Sequence, residues 1–210
     1  MLPAPVGETV TFAVIVAAGY LLGSCPWGYW LVRLVHGEDV RSQGSGATGA
    51  SNVWRAYGPR LGLAVLSLDV LKGFVPAFVG VHQVSTLCGI LAGAAAMAGH
   101  YRPPFLRFRK GGKMVATAGG VVIAVAPWVA LAAMVVWLVT FALTRYTSVA
   151  SIVAAFALPV AAVAFGYPAE VIAFAAISAL SIVWLHRGNL RRLRAGTENR
   201  FHRRSRAALS

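Results

Sequence analysis

Charged residues are scarce in this chain, and acidic ones above all. Only 12% of the 210 residues are charged, with six Asp and Glu against 19 Lys and Arg. A soluble domain exposes much of its surface to water, and about a quarter of its residues are typically charged. Together with a hydrophobic fraction of 58%, this composition excludes an ordinary soluble protein. It indicates a single integral membrane domain over residues 1–210.

Cysteine is also rare. Cys25 and Cys88 are the only two, and both lie in apolar runs. They show no metal-ligand spacing, which excludes a disulfide framework and a zinc site. The few acids and histidines do not cluster, so we expect no metal and no cofactor. The net charge of +13 comes from basic residues that interrupt apolar runs. This placement favours lipid head groups and phosphorylated small substrates, rather than nucleic acid, as partners.

Long apolar runs account for most of the chain and predict an all-α polytopic membrane protein. They cover residues 11–35, 61–81, 85–98, 114–143, 149–165 and 169–185. The run 114–143 contains Pro127 and can form either one kinked helix or two short helices. Asp69 and Lys72 lie three residues apart within the run 61–81. At this spacing they share a helical face, and we expect a structural ion pair rather than a catalytic one.

The basic residues decide between six and seven spans. If Pro127 separates two helices, 18 of the 19 Lys and Arg fall on one side, and the nineteenth, Lys72, lies within a run. Six spans would place Arg145 and the eight arginines after His186 on the opposite side. The positive-inside rule therefore predicts seven transmembrane helices, with the N-terminus outside and the C-terminus in the cytoplasm.

The first polar cluster on this face is the glycine-rich stretch around Ser45, which ends at Arg55. Its Gly44, Gly46 and Gly49 match G-x-G-x-x-G, but a dinucleotide site would require a preceding strand and a βαβ unit. The alternative is an anion site, in which the turn supplies N–H and O–H donors and Arg55 adds a bidentate fork.

The second cluster is the segment Lys110-Gly111-Gly112-Lys113, which follows His100. Glycines allow backbone N–H groups to turn toward a ligand, and lysines supply full charge. The sequence therefore predicts a concave anion nest at this point.

The third cluster closes the last apolar run. His186 and Asn189 are three residues apart, so a helix that continues past Leu185 would place both on one face. Glu198 is the only acid in the basic tail, and we expect it to neutralise an arginine. The candidates for its partner are Arg191, Arg192 and Arg194.

These clusters, in this order, resemble the acyl-phosphate-dependent glycerol-3-phosphate acyltransferases, the PlsY family of bacterial membranes. The resemblance runs through nearly the whole chain. The matching stretches are GSCPWGYWLVRL, RSQGSGATGASNVWRAYG, LDVLKGFVPA, GHYRPPFLRFRKGGKMVAT and HRGNLRRLRAGTENR, over residues 23–34, 41–58, 68–77, 99–117 and 186–200. It implies a multi-pass protein of the bacterial cytoplasmic (inner) membrane with its active site facing the cytoplasm. We expect a monomer.

The resemblance further implies transfer of a long-chain acyl group from acyl phosphate to the sn-1 hydroxyl of glycerol 3-phosphate. The products are lysophosphatidic acid and phosphate. The positions that match the family's catalytic residues are Ser45, Arg55, Lys113, His186 and Asn189. The expected substrate-binding positions are Gly44, Gly46, Asn52, His100, Lys110, Gly111 and Gly112. The general base is either His186 or a phosphate oxygen of the substrate.

Four positions depart from the family pattern. Ala47 and Ser51 replace asparagines, Met114 replaces the glycine that follows Lys-Gly-Gly-Lys, and Gly188 replaces the glutamate of His-Arg-Glu-Asn. Two other functions fit the same basic pocket. One is a non-enzymatic transporter of an anionic lipid, and the other is a degenerate homologue that acts as a scaffold.

Overall fold

The computed structural model describes residues 6–201, and all regular secondary structure in this part of the chain is helical, as predicted. Its α-helices are α1 Val6–Gly23, α2 Trp27–His36, α3 Ala50–Tyr57, α4 Pro59–Gln83, α5 Thr86–Tyr101, α6 Val115–Val125, α7 Pro127–Thr144, α8 Thr147–Ala164, α9 Ala169–Leu185 and α10 Arg187–Arg194. Single 3-10 turns lie at Val40–Ser42 and Pro104–Leu106. Arg203, Arg204 and Arg206, which contributed to the predicted orientation, lie outside the described residues.

Prolines divide two of the predicted runs. The break at Pro127 is confirmed, since α6 ends at Val125 and α7 begins at Pro127. The run 11–35 belongs to a stretch, Gly7–His36, that is long and apolar enough to cross a membrane, but its helix is interrupted, because α1 ends at Gly23 and α2 begins only after Pro26. Proline lacks an N–H donor and disfavours helical geometry in the residue before it, which ends α1 at this point.

Helix α4 is the centre of the packing and contacts α1, α3, α5 and α6, while α7, α8 and α9 pack on one another in sequence. Small residues permit the closest approaches. A side chain at Gly23 would collide with the backbone of Ala96 in α5, and one at Gly73 would collide with the carbonyl of Thr117 in α6. Membrane helices use small residues in this way to bring their backbones together.

A buried ion pair connects α4 to the α1–α2 break. Lys72 Nζ lies 2.7 Å from Asp69 Oδ1, which confirms the predicted pair. The same Nζ donates a 2.9 Å hydrogen bond to the carbonyl of Cys25. Because charges inside a membrane protein need partners, this arrangement fixes the break against α4.

Four stretches of residues 6–201 are long and apolar enough to cross a membrane. They are Gly7–His36, Pro59–Gln83, Pro127–Thr144 and Thr147–Ala164. Helices α9 and α10, bent by 52° at His186, form a fifth if they are taken together. Helix α6 has only 11 residues and rises about 16 Å, roughly half of the bilayer core.

Candidate active site

The three polar clusters meet at a cavity of about 240 Å³. Its walls come from α3, α4, α6, α7, α8 and the junction of α9 with α10. The predicted residues that line it are Ser45, Asn52, Arg55, His100, Lys113, His186 and Asn189. The other five predicted positions, Gly44, Gly46, Lys110, Gly111 and Gly112, are not part of its lining. Within residues 6–201, no three His, Cys, Asp or Glu side chains come together as a metal site.

Asn52 organises the glycine-rich loop, and this differs from its predicted role as a substrate ligand. Its buried amide Nδ2 donates to the carbonyls of Gln43 and Ala47, both at 3.0 Å. Its Oδ1 accepts from the backbone N–H of Ser45 at 3.0 Å. Because these bonds occupy the amide, Asn52 shapes the loop that presents Ser45. Gly44 and Gly46 have φ of 54° and 67°, a left-handed conformation that glycine adopts without strain.

Arg55 enters the cavity from the last turn of α3. Its guanidinium lies 5.4 Å from the centre of the Phe201 ring. Burial lowers the pKa of Arg55, although the carboxylate of Glu198 opposes this shift. Arginine nevertheless stays charged in proteins, so Arg55 brings a permanent cation with five N–H donors.

The predicted nest at Gly111 and Gly112 is not formed. Their N–H groups donate to the carbonyls of Tyr101 and His100, both at 3.0 Å, because the loop folds back on the end of α5. Both glycines are needed for a steric reason instead. A Cβ at Gly112 would collide with the imidazole of His100, and one at Gly111 with the His100 carbonyl. The glycine pair therefore fixes the position of Lys113.

The two lysines of this loop have different environments. The exposed Lys110 donates to the carbonyl of Ser45 at 3.1 Å and so connects two polar clusters outside the cavity. Lys113 is partly buried, and its Nζ donates to Asn189 Oδ1 at 2.8 Å. Burial is the main cause that lowers the pKa of Lys113 to about 8, with smaller contributions from Arg192, Lys110 and Arg55 and an opposing one from Glu198.

His186 lies at the bend between α9 and α10, so the helix does not continue straight past Leu185. The 52° bend nevertheless leaves both His186 and Asn189 buried and facing the same cavity. Nδ1 of His186 lies 2.7 Å from the carbonyl of Ile182, which can only accept. The neutral ring therefore carries its proton on Nδ1, and Nε2 has the free lone pair.

Glu198 forms the floor beneath Asn189. Its pairing with an arginine is confirmed, since Oε2 accepts from Arg192 Nε at 2.8 Å. The sequence did not indicate that Oε1 accepts from Asn189 Nδ2 at 2.6 Å and from Ser148 Oγ at 2.8 Å. Burial raises the pKa of Glu198, but these three hydrogen bonds outweigh it and the pKa lies below its ordinary value. The side chain is only 4% exposed.

A second cavity, of about 350 Å³, adjoins the first and is almost entirely apolar. It lies between α6, α7 and α8, with Ile182 of α9 at one wall. The two cavities share Val115, Gly119, Ile123, Met134, Trp137 and Ser151. Trp137 Nε1 donates to Ser151 Oγ at 3.2 Å at this boundary. A cationic compartment and an apolar one therefore lie side by side and share a wall.

The family model and the similar proteins found by comparison with known proteins share one description. Residues 13–196 match the family model described as glycerol-3-phosphate acyltransferase. The glycerol-3-phosphate acyltransferase of Desulforudis audaxviator is 44% identical over 188 residues, which span 90% of this chain and 94% of that protein. The one from Aquifex aeolicus is 45% identical over 192 residues, with 90% and 98% covered.

Solved structures agree with this relationship. A crystal structure of PlsY, an integral membrane glycerol 3-phosphate acyltransferase, in its glycerol 3-phosphate form matches with a TM-score of 0.88 and 42% identity. The match covers 91% of this chain and 96% of that one. Its lysophosphatidic acid form matches with a TM-score of 0.83 and 41% identity, at the same coverage. The chain therefore belongs to the glycerol-3-phosphate acyltransferase family.

Proposed function

We propose that the chain transfers a long-chain acyl group from acyl phosphate to the sn-1 hydroxyl of glycerol 3-phosphate. One observation carries this proposal: a compartment lined by Arg55, Lys113 and His186 adjoins an apolar cavity and shares lining residues with it. Such a space suits a donor with an anionic head and an apolar tail. The relatives are glycerol-3-phosphate acyltransferases, and the solved neighbours are in glycerol 3-phosphate and lysophosphatidic acid forms, which supports the acceptor and the product.

An acyl phosphate already carries a good leaving group, so the reaction needs no covalent enzyme intermediate. The sn-1 oxygen forms a bond to the acyl carbon, and the bond from that carbon to the phosphate oxygen breaks. The hydroxyl proton goes to the base, and inorganic phosphate leaves with the bonding electrons. The protein must hold two anions together and stabilise the negative charge that develops on the departing phosphate.

Each polar residue of the cavity is assigned to one of the two substrates. Ser45, Arg55 and Lys113 hold the phosphate of the donor, while His186 and Asn189 orient glycerol 3-phosphate. In the neutral form of His186, Nε2 has a lone pair that can accept the hydroxyl proton. A phosphate oxygen of the substrate is the other candidate. Asn52, Gly111 and Gly112 support the binding loops rather than contacting substrate.

The proposed topology has seven spans within a single domain, 1–210, which acts as a monomer in the bacterial inner membrane. The N-terminus is outside, and the cavity opens to the cytoplasm. Supporting this orientation, Arg55, Lys113 and Arg192 lie near one mouth, as the positive-inside rule requires of the cytoplasmic face. Labelling of single cysteines introduced at Arg102 and Tyr167, from either side of sealed vesicles, tests it. The proposal requires them to react from opposite sides.

The donor is tested with purified enzyme, glycerol 3-phosphate and palmitoyl phosphate, with palmitoyl-coenzyme A as the comparison. We expect phosphate and lysophosphatidic acid in equal amounts from palmitoyl phosphate and no product from the thioester. Product from the thioester alone would overturn the donor assignment. Tight binding of both substrates without any product would instead favour transport or a scaffold role.

A further inference from the structure

The chain folds back over the cavity after α10. Gly196 has φ of 69° and reverses the chain, and Thr197 N–H donates to the carbonyl of Arg192 at 2.8 Å. The returning segment 197–201 then brings Glu198 into hydrogen-bond contact with Asn189 and places Phe201 against Arg55, which lines the cavity. Phe201 N–H donates to the carbonyl of Arg145 at 2.9 Å. Both ends of this segment are thus anchored by backbone hydrogen bonds.

The Phe201 ring connects two walls of the cavity. On one side it meets Trp54 of α3 edge-on, with ring centres 6.3 Å apart. On the other it meets Phe141 of α7 edge-on at 5.6 Å, and Phe141 stacks on Trp137 at 5.1 Å. Because α3 packs mainly on α4, whereas α7 packs mainly on α8, Phe201 spans the gap between two separately supported groups of helices.

The guanidinium of Arg55 lies over this ring. Among residues 6–201, it has no hydrogen-bond acceptor, and its central carbon lies 5.4 Å from the centre of the Phe201 ring, while the carboxylate of Glu198 acts on its charge. An arginine side chain left to itself loses considerable rotamer entropy when a ligand immobilises it. An aromatic face fixes the plane of the guanidinium while leaving all five N–H donors in that plane free for phosphate oxygens.

We propose that Phe201 is a positioning residue that holds the guanidinium of Arg55 ready for the phosphate of the acyl donor. This inference rests on the proposed function, in which Arg55 binds that phosphate. When the ring is removed, Arg55 keeps its charge, but its guanidinium is no longer held in line with the phosphate of the donor. The loss therefore falls on the affinity for the acyl phosphate and not on that for glycerol 3-phosphate.

The test compares Phe201→Leu with Phe201→Tyr, which retains the aromatic face. Phe165→Leu is the matched control, because Phe165 is exposed and lies about 27 Å along α8 from the cavity end. We expect Phe201→Leu to raise KM for palmitoyl phosphate about 3- to 30-fold. KM for glycerol 3-phosphate, and both constants for Phe201→Tyr and Phe165→Leu, should stay within about twofold of the parent values.

A double-mutant cycle with Arg55→Gln separates positioning from general stability. Once Arg55 is lost, Phe201→Leu should have no further effect on KM for palmitoyl phosphate. Additive effects, or a fall in melting temperature with equal rises in both KM values, would overturn the positioning role. If Arg55→Gln impairs turnover but Phe201→Leu behaves like Phe165→Leu, only this inference fails. If Arg55→Gln has no effect, the proposed function of Arg55 itself fails.

Discussion

Lys113 and Asn189 are joined by a 2.8 Å hydrogen bond from the ammonium Nζ to the amide Oδ1. The bond connects the loop before α6 to α10, two segments 76 residues apart in the chain. The other end of the same amide donates to Glu198 at 2.6 Å. Lys113, Asn189 and Glu198 therefore form one polar chain, in which the position of each group depends on the next.

Replacement of Lys113 by alanine removes the buried cation of the phosphate site. We expect a loss of transition-state stabilisation on the order of 2–4 kcal/mol, the usual effect of deleting one such electrostatic partner. Turnover of palmitoyl phosphate by the purified variant measures it. Lys110→Ala is the matched control, because Lys110 is exposed and outside the cavity, and it should lose far less. Near-normal turnover by Lys113→Ala would refute the assignment.

The pH dependence of kcat/KM should also reflect the protonation of Lys113. Lys113 has a pKa of about 8, so its charged fraction, and with it kcat/KM of the free enzyme, should fall above about pH 8. Lys113→Arg should move this alkaline limb upward, since arginine keeps its charge, whereas Lys110→Arg should leave it in place. An unmoved limb in Lys113→Arg would assign the titration to another group.

The lowered pKa of Lys113 also makes the stability of the folded protein depend on pH. The pKa of Lys113 in the folded state lies below its ordinary value of 10.5, so the unfolded chain binds this proton more tightly. The residue therefore lowers stability below pH 8, and this cost is relieved as the pH rises from about 8 to 10.5. Unfolding of the parent and of Lys113→Met across this range measures the difference, which should shrink with increasing pH.

Glu198→Ala removes the acceptor that orients Asn189. The Asn189 amide and the hydroxyl of Ser148 each lose a buried partner. We expect the free energy of unfolding to fall by about 1.5–3 kcal/mol for each charge-assisted bond that is lost. Turnover should fall with it. Glu198→Gln retains an acceptor for Asn189 and should recover part of the activity. Glu170→Ala, at an exposed position in the first turn of α9, controls for loss of a carboxylate, and an equal effect there would contradict the explanation.

Gly112→Ala should inactivate the enzyme through sterics alone. The new methyl group would collide with the imidazole of His100, so the loop must move and carry Lys113 with it. Gly7→Ala in α1, where a Cβ meets no atom within 4 Å and which lines neither cavity, is the matched control. Full activity of Gly112→Ala, measured as phosphate release, would show that the loop tolerates displacement.

Met114 occupies a position that is unfavourable for its side chain. Its φ of 67° lies in the left-handed region, which costs a non-glycine residue roughly 1–2 kcal/mol. Met114→Ala and Met114→Gly both lose the side chain, but only glycine removes the strain. We expect the glycine variant to be more stable than the alanine variant by about 1 kcal/mol. Thermal unfolding in detergent compares them, and equal melting temperatures would argue against strain.

The helices were largely predictable because apolar runs and prolines carry direct signals. Pro127 divides α6 from α7 as the charge distribution required, and Asp69 pairs with Lys72 as their spacing predicted. The division at Pro26 was missed, since the run 11–35 is long enough to span a bilayer without a break. Hydropathy reports burial in lipid, but not where the backbone turns.

The sequence indicated residues that the fold gathers at one cavity, but it indicated less well what each of them contacts. Ser45, Arg55, Lys113, His186 and Asn189 line one cavity. A glycine, however, has two uses that sequence does not separate: exposing an N–H group and permitting close packing. At Gly111 and Gly112 the second use applies. Phe201 had no signal at all, because its contacts with Trp54 and Phe141 join positions far apart in the chain.

The apolar cavity lies beside α6, and this bears on how the proposed donor reaches the site. Helix α6 has only 11 residues and rises about half the thickness of the hydrocarbon core. Under the proposed function, we expect the acyl tail to lie in that apolar cavity and glycerol 3-phosphate to enter from water. If the donor is drawn from the bilayer in this way, the rate should follow the mole fraction of donor in the bilayer. Dilution of the donor with inert lipid should therefore slow the reaction even when its total amount is unchanged.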